Sequence, residues 1–183
     1  MAAVPRITAE DLMALPEGTE RYELLDGEVY QVNPPTTAHQ RVSRRFMYWL
    51  GTAEAAGCGE PYDAPTGLLL PDGSKAEPDV QFVRRGREHI IAADAIRGVP
   101  DLVFEVLSPS TRAKDTGAKY RVYERNGVPH YWWADPDAAT VTRHALGPDG
   151  RYRLVDTLGR GDTLDPPLCP GVTLPVADLF DRA

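Results

Sequence analysis

The sequence predicts a mixed α/β (α+β) fold, a central β-sheet flanked by helices with an N-terminal β-hairpin. Three observations predict it. Asp26-Gly27 separates two strand-like runs, a strong hairpin signal. Residues 37–56 carry apolar side chains at three- and four-residue steps, the helical period. Two short runs, 79–83 and 102–107, are apolar enough to be buried strands, and strands alternating with helices build such a layered domain.

The elements follow in order. Thr8 is placed to cap a short helix over 9–15, with Ile7 and Leu12 as a hydrophobic staple and Pro16 as the stop. The hairpin pairs 21–25 with 28–32, and Pro34-Pro35 ends it. Val42, Phe46, Trp49, Leu50 and Ala53 form one face of the long helix, which Gly57 terminates. Strands are expected at 60–63, 67–70 and 79–83, and 86–99 reads as a loop with a helical turn. Residues 102–107 make the clearest buried strand, followed by a helix over 112–126 that stops at Gly127. His130-Tyr131-Trp132-Trp133-Ala134 is a strand closed by Asp135-Pro136, and 140–145 and 152–156 form a second hairpin. A short strand near Val172 and a helical turn at 176–180 finish the chain.

With 183 residues, no internal repeat and no evident linker, the chain is expected to form a single domain over 1–183. Its 42% hydrophobic and 26% charged content is that of a soluble globular protein, without an apolar run to span a membrane. Met1-Ala2-Ala3-Val4-Pro5-Arg6 lacks the apolar stretch of a signal peptide, so a cytoplasmic location is expected. Cys58 and Cys169 lie far apart without metal-ligand spacing and read as reduced thiols. A net charge of −7 argues against coating nucleic acid by bulk charge. Local basic strips remain at Arg41, Arg44 and Arg45 and at Arg84, Arg85 and Arg87, where solvated faces are the simpler reading.

Two acids break the apolar pattern. Asp79 opens one buried run and Glu105 sits inside the other. Carboxylates are seldom buried unless paired or bound to a metal. If the strands are neighbours, both reach one point, and hard divalent cations choose such oxygen ligands while keeping waters. A bound cation of this kind suits phosphodiester chemistry. The simpler readings are a turn acid for Asp79 and an arginine-paired acid for Glu105. Lys119 lies four residues from Asp115 and four from Tyr123 on the next helix. It could hold a water or stabilise charge on phosphate, or merely pair with Asp115; Lys114 competes for that role. Glu23 alternates with Tyr22 and Leu24 and could join the acids or be an exposed hairpin residue. His39 opens the long helix and could contact phosphate or face solvent. Nucleophile-elbow, P-loop, dinucleotide-turn and zinc-protease motifs are absent.

These residues carry a family likeness. The chain resembles the Uma-two family of bacterial endonucleases, a branch of the PD-(D/E)XK nuclease superfamily. The likeness runs through Tyr22-Glu23-Leu24-Leu25-Asp26-Gly27-Glu28, Pro34-Pro35, His39-Gln40 and Glu77-Pro78-Asp79-Val80. It continues through Pro100-Asp101-Leu102-Val103-Phe104-Glu105-Val106-Leu107-Ser108-Pro109-Ser110-Thr111, Asp115, Lys119, Tyr123 and Gly127-Val128-Pro129-His130-Tyr131-Trp132. It implies a restriction-endonuclease-like fold and metal-dependent cleavage of DNA. Asp79 matches the motif aspartate, Glu105 the motif acid, and Glu23 the acid of the N-terminal part. The motif lysine would fall at Leu107, so its role passes to Lys119 on the following helix.

The resulting expectation is a Mg2+ (or Mn2+)-dependent DNA endonuclease. Asp79, Glu105 and the carbonyl of Val106 would hold the metal, Lys119 would position water, Glu23 would tune the metal or a second ion, and His39 would touch phosphate. A homodimer is expected if both strands are cut. The rivals are a catalytically inactive nuclease-fold protein that binds nucleic acid or a protein partner, and a hydrolase of small phosphoesters.

Overall fold

In a computed structural model of the chain, residues 7–16, 20–165 and 167–181 are described. The Met1–Arg6 stretch, on which the signal-peptide reading rests, lies outside them. Helix α1 spans Ala9–Met13 and begins with a reciprocal capping box between Thr8 and Asp11. The staple is not closed, because Ile7 stays 53% exposed. Strands β1 (Tyr22–Leu25) and β2 (Glu28–Gln31) pair through a two-residue turn. Asp26 and Gly27 both hold positive φ, 54° and 78°, as a right-twisted hairpin requires.

Helix α2 (Thr37–Ala55) follows, capped by Thr36. Next come β3 (Gly59–Asp63), β4 (Gly67–Leu69), β5 (Lys75–Ala76), β6 (Val80–Arg84), β7 (Ala95–Arg97) and β8 (Leu102–Val106). A π-helical turn over Lys114–Lys119 leads into α3 (Tyr120–Asn126), which ends at Gly127 with φ 82°. Strands β9 (His130–Asp135), β10 (Thr140–Leu146), β11 (Tyr152–Leu158), β12 (Thr163–Leu164) and β13 (Leu174–Pro175) precede α4 (Ala177–Phe180).

Two sheets dominate. A six-stranded mixed sheet has the order β11-β10-β9-β8-β6-β3, with β8 parallel to β9 and antiparallel to β6. A five-stranded sheet, β2-β1-β5-β4-β7, draws the N-terminal hairpin into a second layer. Strand alternation divides the core. Leu102, Phe104 and Val106 face α2, where Phe104 stacks on Phe46 at 3.7 Å between ring centroids. Val103 faces the other way, with Val122, Tyr123, Leu25, Leu68 and Ile96. Glu105 shares that second face by the same period of two, which aims its carboxylate at the helix of Lys119.

The fold class agrees with the sequence, while several details do not. Strands β5, β7 and β12 are two or three residues long, too short for a periodic signal. The helix expected from 112 opens into a π turn, where side-chain donors occupy two of its carbonyls: Thr116 Oγ1 donates to Arg112 O and Tyr131 OH to Asp115 O, each at 2.8 Å. The reading of Cys58 and Cys169 as reduced thiols is corrected, because they form a disulfide across 111 residues of sequence with Cα atoms 5.6 Å apart. Cys58 follows α2, and Cys169 belongs to a C-terminal segment whose Leu164, Leu168, Val176 and Leu179 pack on the same core as α2. That long-range approach leaves no trace in the spacing. Among the described residues no helix is long and apolar enough to cross a membrane.

Candidate active site

The two acids that break the apolar pattern meet. Antiparallel pairing sets Val80 opposite Phe104, so Asp79 and Glu105 come level at the ends of β6 and β8. Backbone groups lock them together: Val106 N–H donates to Asp79 Oδ2 at 2.7 Å, and Asp79 N–H reaches Glu105 Oε2 at 3.4 Å. Leu107 N–H turns to the opposite edge, donating to Ala134 O at 2.8 Å. Because the N–H and C=O of one strand residue leave on the same edge, the Val106 carbonyl points to the edge where Asp79 sits.

Lys119 lies behind this pair at 3% exposure. Its Nζ is 2.8 Å from Glu105 Oε1, 2.9 Å from Glu23 Oε1 and 3.7 Å from Asp115 Oδ1. The simple intrahelical pair with Asp115 is therefore the longest of its three contacts. Tyr123 OH also donates to Glu105 Oε1, at 3.1 Å. Glu23 is 1% exposed rather than a solvated hairpin acid. It accepts from Glu77 N–H at 2.9 Å and meets Lys114 Nζ at 2.5 Å. Glu77 itself lies between Lys75 (3.0 Å) and Arg21 (3.1 Å). His39 does not face solvent: its Nε2 is 2.9 Å from Asp79 Oδ2, while Nδ1 is buried without a partner among the described residues.

A cleft of about 260 Å³ opens onto Asp79, Glu105, Lys119, Glu23 and His39, so these five side chains line one space, while Tyr123 and the two arginine strips do not. Its other walls include Pro34-Pro35, Ser108, Ser110, Thr111 and Lys114. Sequence reasoning missed that Lys114 and Lys119 share one carboxylate and that Glu77 braces Glu23. The Glu-Pro-Asp string was the available signal for Glu77. For the shared lysines there was none, since residues five apart on an α-helix diverge by about 140°.

Charge is out of balance here. Four carboxylates (Glu23, Asp79, Glu105, Asp115) face two ammonium groups (Lys114, Lys119). Burial pushes the Glu105 carboxyl well above its usual range; Lys119 pulls it down, and Asp79, Asp115 and Glu23 add to the rise. Burial likewise raises Asp115, against the pull of Lys119. Lys119 keeps its proton firmly: burial opposes the charge, but Glu105 and Glu23 outweigh it. A shortage of positive charge beside two aligned carboxylates and a peptide carbonyl fits a hard divalent cation that keeps several waters. Among the described residues no cluster of three or more His, Cys, Asp or Glu side chains is arranged to hold a metal ion, so a cation here would rest on two carboxylates, the carbonyl and water.

Glu23 shows the opposite shift. Burial alone would raise it, but Lys119 and Lys114 hold it down at about 2. The unfolded chain, with its Glu near 4.5, then binds the proton more tightly than the folded one. Stabilisation from this group is complete above about pH 4.5 and is lost as pH falls toward 2. Between pH 6 and 3, wild type should lose on the order of 2 kcal/mol more stability than Glu23→Gln. Urea unfolding at both pH values measures this, and equal losses in the two proteins would contradict it.

A model of the Uma2 family, described as "Putative restriction endonuclease", matches residues 9–177. The chain is 28% identical over 127 residues to the uncharacterized protein slr1290 of Synechocystis sp., a match covering 68% of this chain and 66% of that protein. The chain thus spans just under two thirds of that relative's length. In fold it is similar to a crystal structure described as a "putative nuclease belonging to DUF820" from Anabaena variabilis. That match has a TM-score of 0.76 at 19% identity and covers 95% of this chain and 97% of the other.

Proposed function

The chain belongs to the Uma2 family, and from that premise we propose that it is a metal-dependent endonuclease hydrolysing phosphodiester bonds in DNA. The observation that carries this reading is the Asp79–Glu105 pair, fixed by reciprocal backbone hydrogen bonds at the floor of a cleft and backed by buried Lys119.

Asp79, Glu105 and the Val106 carbonyl would hold Mg2+ or Mn2+. Such a cation, when bound, neutralises charge on the phosphate and makes its water a better nucleophile. Lys119 stays protonated and sits beside Glu105 and Glu23, so its N–H groups orient the attacking water and stabilise negative charge developing on a phosphate oxygen. Glu23 acts through Lys119, gripping its ammonium at 2.9 Å. His39 fixes the Asp79 carboxylate through Oδ2, the kind of orienting contact that tunes a ligand, and its ring edges the cleft where a phosphate would pass. Cutting both strands would take two such sites, which a two-fold dimer supplies.

Calorimetric titration with Mn2+ tests the site. Wild type should bind, while Asp79→Ala and Glu105→Gln should each weaken binding more than about tenfold. Glu23→Gln should keep most of the affinity. Unchanged binding in Glu105→Gln would move the metal elsewhere.

A further inference from the structure

Lys114 has no role in the chemistry just described, yet it is the more open of the two lysines on Glu23. Its side chain is 14% exposed against 3% for Lys119, and it lines the cleft with Ser110 and Thr111. The π turn brings it there. On a regular α-helix Lys114 and Lys119 would point about 140° apart; the wider turn lets both reach one carboxylate. A helix that departs from its regular form to bring a second cation to one carboxylate calls for a reason.

Fold stability supplies only part of it, since Lys114 shares with Lys119 the work of keeping Glu23 charged. Glu23 already receives Lys119 Nζ at 2.9 Å and Glu77 N–H at 2.9 Å. Losing Lys114 would leave that carboxylate the shared Lys119 ammonium and a backbone hydrogen bond. Lys119 has no such freedom, because Glu105 and Asp115 hold it too. Of the two cations, Lys114 has a single ion-pair partner among the described residues, and it stands at the cleft wall.

We propose that Lys114 is a substrate-binding residue of the cleft, held by Glu23 in the free protein and transferred to a backbone phosphate of the incoming nucleic acid beside the bond to be cut. Glu23 is then the positioning residue for two lysines with different duties: Lys119 kept at the reacting atoms, Lys114 lent to the substrate. This rests on the nuclease reading for the bond broken, but the binding step can be measured by itself.

The test is fluorescence anisotropy of a labelled DNA duplex, titrated in Ca2+ over a series of salt concentrations. Lys114→Met should bind about tenfold more weakly than wild type, and the slope of log affinity against log salt should shrink by about one. Lys114→Arg should keep the slope, the Mn2+ affinity of Lys114→Met should not fall, and its urea midpoint should drop only modestly. The proposal is overturned if Lys114→Met binds with wild-type affinity and slope. It is equally overturned by weaker binding at an unchanged slope with a lowered urea midpoint, the mark of a structural ion pair. A wild-type protein that binds no duplex overturns it as well. Wild type that binds DNA but never cleaves it would remove the nuclease reading and leave the Lys114 comparison decisive on binding.

Discussion

Lys119→Met should destabilise the protein by about 3–5 kcal/mol, the usual cost of stripping one partner from a buried ion network. Three carboxylates share this ammonium, two of them within 3 Å, and both Glu23 and Glu105 are almost fully buried. Without it, Glu105 must take up a proton, and Glu23 keeps only Lys114 as a cation. The thermal midpoint should fall by on the order of 10 °C. Adding Glu105→Gln to Lys119→Met removes one uncompensated charge and should recover part of the loss, so the two changes are non-additive. Lys119→Arg should not substitute, because a planar guanidinium cannot meet three acids from the position of a point-like ammonium. Thermal and urea unfolding of the set measures this, and a loss below about 1 kcal/mol for Lys119→Met would mean that the site is more open to water than its burial implies.

Glu105→Gln separates chemistry from folding. The amide keeps the shape and still offers an oxygen to Lys119 and Tyr123, so the fold should survive. It removes the negative charge that a cation needs, and metal-dependent cleavage should drop by on the order of 10³-fold or more, as for members of a catalytic unit. The fall should appear in kcat more than in KM, since the charge acts on the reacting phosphate and Lys114 still grips the substrate. A variant that folds, binds DNA and cleaves at the wild-type rate would show that Glu105 is a structural acid.

Much of this site is legible in the amino-acid sequence. Asp79 and Glu105 stand out because acids do not belong in apolar strands, and the strand period places Glu105 on one face. Lys119 is marked by its spacing to Asp115 and Tyr123, and in the fold it lies 3.7 Å from Asp115 and shares Glu105 Oε1 with Tyr123. The parts that are not legible have one physical origin: they are set by tertiary approach rather than local pattern. Glu23 has the pattern of any exposed hairpin acid, and only the approach of β5 and the π turn buries it. Cys58 and Cys169 are joined through a C-terminal segment whose docking no spacing announces. The π turn itself breaks the period by which a helix is recognised, so the extra lysine it delivers is hidden as well.

Nicking of supercoiled plasmid in Mg2+ or Mn2+, by wild type and by Asp79→Ala purified in parallel, tests the central claim most directly. Wild type should convert the plasmid to open-circular and linear forms, EDTA should stop it, and Asp79→Ala should leave the plasmid intact. Cleavage by Asp79→Ala at the wild-type rate, or cleavage that persists in EDTA, would contradict the assignment.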